Sequence, residues 1–282
     1  MPEYLEALWP ALEEPDTMVY GGGTDVLVRL RSGIGQPQQL ICLERLRELQ
    51  GIEDREDWVL IKAGTSHARI LDDPIIQTRF PVLTRAVKSL GSPPIRNMGT
   101  IGGNICSASP AGDTLPPLYV LQAEVALRSR TADRRLPIGD FIKGPGQTAI
   151  RPDEILTGVW IPKNPQFNRQ HYEKVGQRKA LAISIVSLAA LIDLNPAGII
   201  EDIRLAWGSV GPTVVTAPEV EAALRGRPLR LEVLKEAAEA TRRAVSPIDD
   251  IRATADYRRE VAGNLLYRLS LRVEPSPGIK PR

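Results

Sequence analysis

The sequence predicts a mixed protein of strands and helices whose chemistry lies in glycine-rich segments. Two observations point there. Short apolar runs that read as strands alternate with amphipathic helical segments through the first half of the chain, and two junctions between them are rich in glycine and small polar residues. From Tyr172 the pattern changes: long apolar strands come first and helices then dominate. The 282 residues suffice for one large or two modest domains.

Taken in order, residues 2–12 place Leu5, Leu8, Trp9 and Leu12 at helical spacing. Residues 18–20 read as a strand, followed by Gly21-Gly-Gly-Thr-Asp25 and a helix over 26–31 that Gly33 closes. Strands are expected at 39–43 and 58–63 with a charged connection between them, and Gly64-Thr65 follows as a polar turn. Residues 66–71 and 81–90 read as helices, the second broken by Ser92-Pro-Pro94. Strands follow at 124–128 and 153–161, the latter stopped by Pro162. Residues 164–171 are polar and irregular and read as a hinge. Strands are then expected over 181–194, 199–206 and 207–215, and helices over 218–224, 231–245 and 253–271. The last helix carries Tyr257, Val261, Leu265 and Leu269 on one stripe, which reads as packing. Residues 274–282, rich in proline, are expected to fray.

Composition excludes several classes of function. An apolar share of 43% and a charged share of 25% are ordinary for a soluble globular chain. A net charge of +2, with both signs interspersed, gives no electrostatic case for nucleic acid or an anionic membrane. No apolar run reaches the roughly 20 residues of a membrane-spanning helix. The acidic N-terminus lacks a signal-peptide layout, so a cytoplasmic protein is expected. Cys42 and Cys106 form no CxxC, and His67 and His171 form no HExxH, so neither a disulfide framework nor a metal site is expected.

The chemistry points to residues 97–113. Four glycines, two serines, Thr100 and Asn104 offer backbone and side-chain donors, and Asp113 offers an acceptor. So small and polar a run reads as a loop outside the core. It enters a helix start at Thr114-Leu-Pro-Pro117, and a donor-rich loop at a helix N-terminus is an anion site. Cys106 lies within the run, either as a small buried residue or at the ligand. Gly21-Gly-Gly-Thr-Asp25 is the second candidate cradle; it is neither GxGxxG nor a Walker sequence.

Together, Gly21-Gly-Gly-Thr-Asp25 and Thr100-Ile-Gly-Gly-Asn104, followed by Ala108-Ser-Pro and Asp113, resemble the FAD-binding medium subunit of molybdenum hydroxylases. That family includes the flavin subunit of carbon monoxide dehydrogenase and the flavin domain of xanthine dehydrogenase. Asp153-Glu-Ile-Leu156 and Lys174-Val-Gly-Gln-Arg-Lys179 are further landmarks. The resemblance implies an α+β fold. A two-part FAD-binding region of the vanillyl-alcohol oxidase (PCMH) type would occupy 1–56 and 57–167. A C-terminal domain of a three-stranded antiparallel sheet and a three-helix bundle would occupy 168–282.

FAD is the cofactor so implied. Val19, Tyr20, Gly21, Gly22, Gly23, Thr24, Asp25 and Val26 would wrap its pyrophosphate with backbone N–H groups, joined by Thr100, Ile101, Gly102, Gly103 and Asn104. Asp113 would accept hydrogen bonds from the polar part of the cofactor, Leu156 would pack by the adenine or flavin system, and Lys174 would lie close to the cofactor. The implied partners are a large molybdopterin-binding subunit, a small [2Fe–2S] subunit and an electron acceptor such as NAD⁺, a quinone or oxygen. With the redox chemistry carried by the cofactor, no catalytic acid–base set is expected. Ala182-Ile-Ser184 departs from the Asp-Ile-Ala-like run of many members. The rival readings are a self-contained flavin reductase on a related FAD fold, an FAD-free assembly scaffold and a nucleotide-phosphate binder without redox function.

Overall fold

The structure, a computed structural model, describes residues 1–163, 167–178 and 181–272. The chain divides into two compact units whose segments interleave along the sequence. The first unit comprises Met1–Asp72, Ser92–Ala108 and Gln122–Pro162, and the second comprises Asp73–Gly91, Ser109–Leu121 and the described part of Lys163–Arg282.

The first unit holds two kinds of sheet. Thr17–Tyr20 pairs in parallel with Gln39–Cys42, placing Tyr20 opposite Cys42. Parallel neighbours need a crossover, and the helix Val26–Arg31 lies in the connection. The larger sheet is antiparallel, in the order Ile52–Asp54, Trp58–Lys62, Ile155–Pro162, Glu124–Arg128, Asp133–Pro137. Trp58–Lys62 follows the period of a half-buried strand: Val59 and Ile61 are fully buried, whereas Leu60 is only half-buried.

A register shift sits where Ala126 pairs with Gly158 and Leu127 with Leu156, leaving Thr157 as the extra residue of a bulge. The bulge keeps Leu156 on the same face as Val159. The Thr157 hydroxyl donates to Ala126 O at 3.2 Å, and its carbonyl accepts from Ala63 N at 2.9 Å.

Residues 97–113 are not the surface loop expected. Ile101–Ser107 is a helix, and Ile101, Gly102 and Ile105 are buried. Thr100 caps it, its hydroxyl accepting from Gly103 N at 3.2 Å. Two buried isoleucines four apart supply the inner face that glycine content concealed. Ser92-Pro-Pro94 likewise does more than break a helix: Ser92 caps a new one, Pro93–Met98, whose first positions tolerate proline.

The second unit carries a four-stranded antiparallel sheet, Arg169–Val175, Val186–Leu194, Ile200–Gly208 and Val215–Thr216, where three strands were expected. The strand missed, Arg169–Val175, begins in the expected hinge. Its polar residues hid it, because their hydrogen bonds are made inside. Buried Gln170 donates to Arg79 O at 2.8 Å and accepts from Val82 N, and Asn168 donates to Leu194 O at 2.7 Å.

The expected strand over 207–215 divides: Trp207 and Gly208 end one strand, Ser209 adopts a left-handed φ of 65°, and only Val215–Thr216 pairs again. Three helices follow, Pro218–Leu224, Leu231–Ala244 and Ala255–Tyr267, with the short Leu269–Arg272 after them. Ala262, Leu265, Leu266 and Leu269 pack with Trp207 and Leu234 in one core, whereas Tyr257 of the expected stripe is exposed. Residues 164–166, Lys179 and 274–282 lie outside the described residues. Among those described, no helix is long and apolar enough to cross a membrane.

Candidate functional site

The first unit contains a cavity of about 330 Å³. Val19, Tyr20, Gly21 and Gly22 line it from the first glycine segment, Thr100, Gly102 and Gly103 from the second, and Leu156 from the bulged strand. Gly23, Thr24, Asp25, Val26, Ile101 and Asn104 are not part of the lining. Leu43, Leu49 and Ile155 give it an apolar region, continuous with the cluster around Leu5, Leu8, Trp9 and Leu46.

The fold brings the two glycine segments together by close backbone approach. A Cβ on Gly22 would collide with the Met98 carbonyl oxygen, and one on Gly21 would lie 2.7 Å from the Thr100 hydroxyl. The Ser107 hydroxyl donates to the Asp25 carboxylate at 2.9 Å, tying the first turn to the helix Ile101–Ser107. Gly102 sits in that helix because Ala63 lies against it: a Cβ there would stand 2.7 Å from Ala63 Cβ and 2.8 Å from its carbonyl oxygen. Gly103 differs, with only the Thr100 hydroxyl near, at 3.1 Å.

Hydrogen-bond accounting separates the segments further. In the second, Ile101 N donates to Thr65 O, Gly102 N to Ala63 O, Gly103 N to the Thr100 hydroxyl and Asn104 N to Thr100 O. In the first, among the described residues, the N–H groups of Gly21, Gly22, Gly23 and Thr24 donate to no protein acceptor. Backbone donors rarely go unpaired in a folded chain. A row of them in a glycine turn, with Gly23 at φ +72°, forms a concavity suited to an anion.

Three lining residues have chemistry of their own. Cys106 lies at the wall, one of the two alternatives its sequence position left open, and burial pushes its thiol up to about 12, so it stays neutral. Glu44 and Arg69 are the acidic and the basic residue of the lining, and neither was singled out in the sequence. His67, beside the lining residue Ser66, is buried; its backbone N–H donates to Gly99 O, and its Nδ1 has no partner among the described residues. Burial, aided by the Arg96 charge, lowers its imidazole to about 4.

Asp113 and Lys174 belong to the second unit, where they form an ion pair at 2.6 Å. Asp113 also accepts from the Tyr172 hydroxyl at 3.1 Å, and Lys174 also donates to Ser89 O at 3.2 Å. Burial raises the Asp113 carboxyl, opposed by the Lys174 charge. The same burial, with the Asp113 charge, holds the Tyr172 hydroxyl well above its ordinary range. Among the described residues, no group of three or more His, Cys, Asp or Glu side chains is placed to hold a metal ion.

An uncommitted row of backbone donors beside an apolar region suits a ligand with a phosphate and a flat ring system. Comparisons with known proteins agree. Residues 1–164 match the family described as the FAD binding domain in molybdopterin dehydrogenase, and residues 171–273 match the CO dehydrogenase flavoprotein C-terminal domain. The chain is 32% identical over 249 residues to the xanthine dehydrogenase FAD-binding subunit of Escherichia coli O157:H7, covering 87% of this chain and 85% of that one. It is 32% identical over 260 residues to the glyceraldehyde dehydrogenase medium chain of Sulfolobus acidocaldarius, covering 92% of each. A chain in the structure of carbon monoxide dehydrogenase from Hydrogenophaga pseudoflava superposes with a TM-score of 0.89 at 29% identity, covering 95% of this chain and 93% of that one. The glycine cradle and the two family matches lead to one conclusion: the chain belongs to the FAD-binding medium subunits of the molybdenum hydroxylases, and is an oxidoreductase subunit whose cofactor is FAD.

Proposed function

We propose that this chain is the electron-transferring subunit of a molybdopterin-containing hydroxylase or dehydrogenase complex. A large molybdopterin-binding subunit and a small [2Fe–2S] subunit are its partners. The organic substrate is oxidised on the large subunit, and electrons arrive through the clusters and leave for an external acceptor such as NAD⁺, a quinone or oxygen. Bound FAD supplies the redox chemistry, while the protein binds and orients it.

The observation that carries this reading is the row of N–H groups from Gly21 to Thr24 with no protein acceptor. The pyrophosphate of FAD carries about two negative charges, which such a row of donors stabilises by hydrogen bonding. Gly103 leaves space for the same group, while Thr100 and Gly102 fix the helix beside it. Leu156 offers the apolar wall. None of these residues transfers a proton, in keeping with a subunit that handles electrons.

The purified chain is expected to be yellow, with flavin absorption near about 450 nm, and its native complex to contain molybdenum and iron. A colourless chain that FAD does not reconstitute would sink the cofactor assignment. Substrate turnover by this chain alone would overturn the partner assignment and favour the self-contained reductase.

A further inference from the structure

Arg69 stands out among the charged residues of the first unit. It lies on the short helix His67–Asp72, is exposed, and is the basic residue among those that line the cavity. Several other arginines of that unit have carboxylate partners: Arg134 holds Glu154 at 2.7 Å, and Arg45 reaches Glu3 at 3.3 Å. Arg69 makes no side-chain hydrogen bond or ion pair with any described residue, Glu44 of the same lining included.

Its helix is tied to the second glycine segment. Its backbone N–H donates to the Ser66 hydroxyl at 3.3 Å, and Ser66 bridges Thr100, the cap of the second glycine segment. One Nη lies 3.9 Å from the place a Cβ would take on Gly51, which is held at φ +117°. A larger residue there would narrow the room the guanidinium has.

We propose that Arg69 is a third element of the cofactor clamp, pairing with a phosphate of FAD; this rests on the reading of the cavity as the FAD site. The backbone donors of Gly21 to Thr24 contribute partial charges, and a guanidinium adds a full charge in a fork that matches phosphate oxygens. Glu44, elsewhere in the same lining, suits the uncharged, hydroxyl-bearing part of the same ligand.

The test titrates the full-length apo chain with FAD, ADP and riboflavin, following flavin fluorescence or heat, at low and high salt. Arg69→Gln is expected to weaken FAD and ADP by about 10- to 100-fold at low salt, with a smaller loss at high salt. Riboflavin, which has no phosphate, should bind both proteins alike. Arg69→Lys should fall between, keeping the charge without the fork. FAD affinity unchanged in Arg69→Gln at both salt levels would overturn the proposal, as would an equal loss for riboflavin. A wild-type chain that binds none of the three would instead overturn the reading of the cavity, and this inference with it.

Discussion

The two glycine segments look alike in sequence and differ in what the fold does with them. Residues 21–24 leave their backbone donors uncommitted, while residues 101–104 use all of theirs on Thr65, Ala63 and Thr100. The first is shaped as a receptor and the second mostly as a scaffold. Glycine alone does not tell them apart, because glycine permits close approach by any group. Gly22 admits the Met98 carbonyl, Gly102 admits Ala63, and only Gly103 leaves its flank open.

The severest challenge to this comparison is Gly22→Ala. The new methyl group meets backbone rather than a movable side chain, so a loss of about 3 kcal/mol or more is expected, read as a large fall in the unfolding midpoint. A Gly22→Ala protein of unchanged stability would show that close approach to the Met98 carbonyl is not what the fold requires of this glycine.

Acid should act on the scaffold side next. His67 is neutral in the folded chain, its imidazole lowered by burial from 6.5 to about 4. The unfolded chain therefore binds the proton first, and stability falls as pH drops from 6.5 towards 4, by about 3 kcal/mol in all. Urea unfolding at several pH values measures this slope, and His67→Gln should flatten it.

Adjacent glycines sharpen the contrast further. Gly102→Ala should cost about 2 kcal/mol against Ala63, whereas Gly103→Ala should change stability by less than about 1 kcal/mol and weaken FAD instead. Equal behaviour in melting and in FAD titration would erase the distinction. Thr100→Ala, which removes the cap of Ile101–Ser107, should lower stability by about 1 kcal/mol, read as a small fall in the unfolding midpoint.

Much of this was legible beforehand. The strand–glycine–helix order around residues 18–31 follows from periodicity and from Gly33, and the motifs at 21–25 and 100–104 carry the family. The failures share a cause: polar or flexible residues whose partners lie far along the chain. Gln170 and Asn168 look like surface residues until Arg79 and Leu194 take their hydrogen bonds. Residues 101–107 look like a loop until Ala63 explains Gly102. Arg69 carries no local sequence signal, because nothing in residues 67–72 marks one arginine of a short helix as lining a cavity.

The bulge at Thr157 has a consequence for chain length. With Thr157 out of step, Leu156 and Val159 share a face although three positions separate them. Removing one residue between them leaves a regular strand with Leu156 still inward, because alternate residues share a face. Adding one offers no such repair. This strand should therefore accept shortening by a residue more readily than lengthening, and variation among relatives should be lopsided at this point.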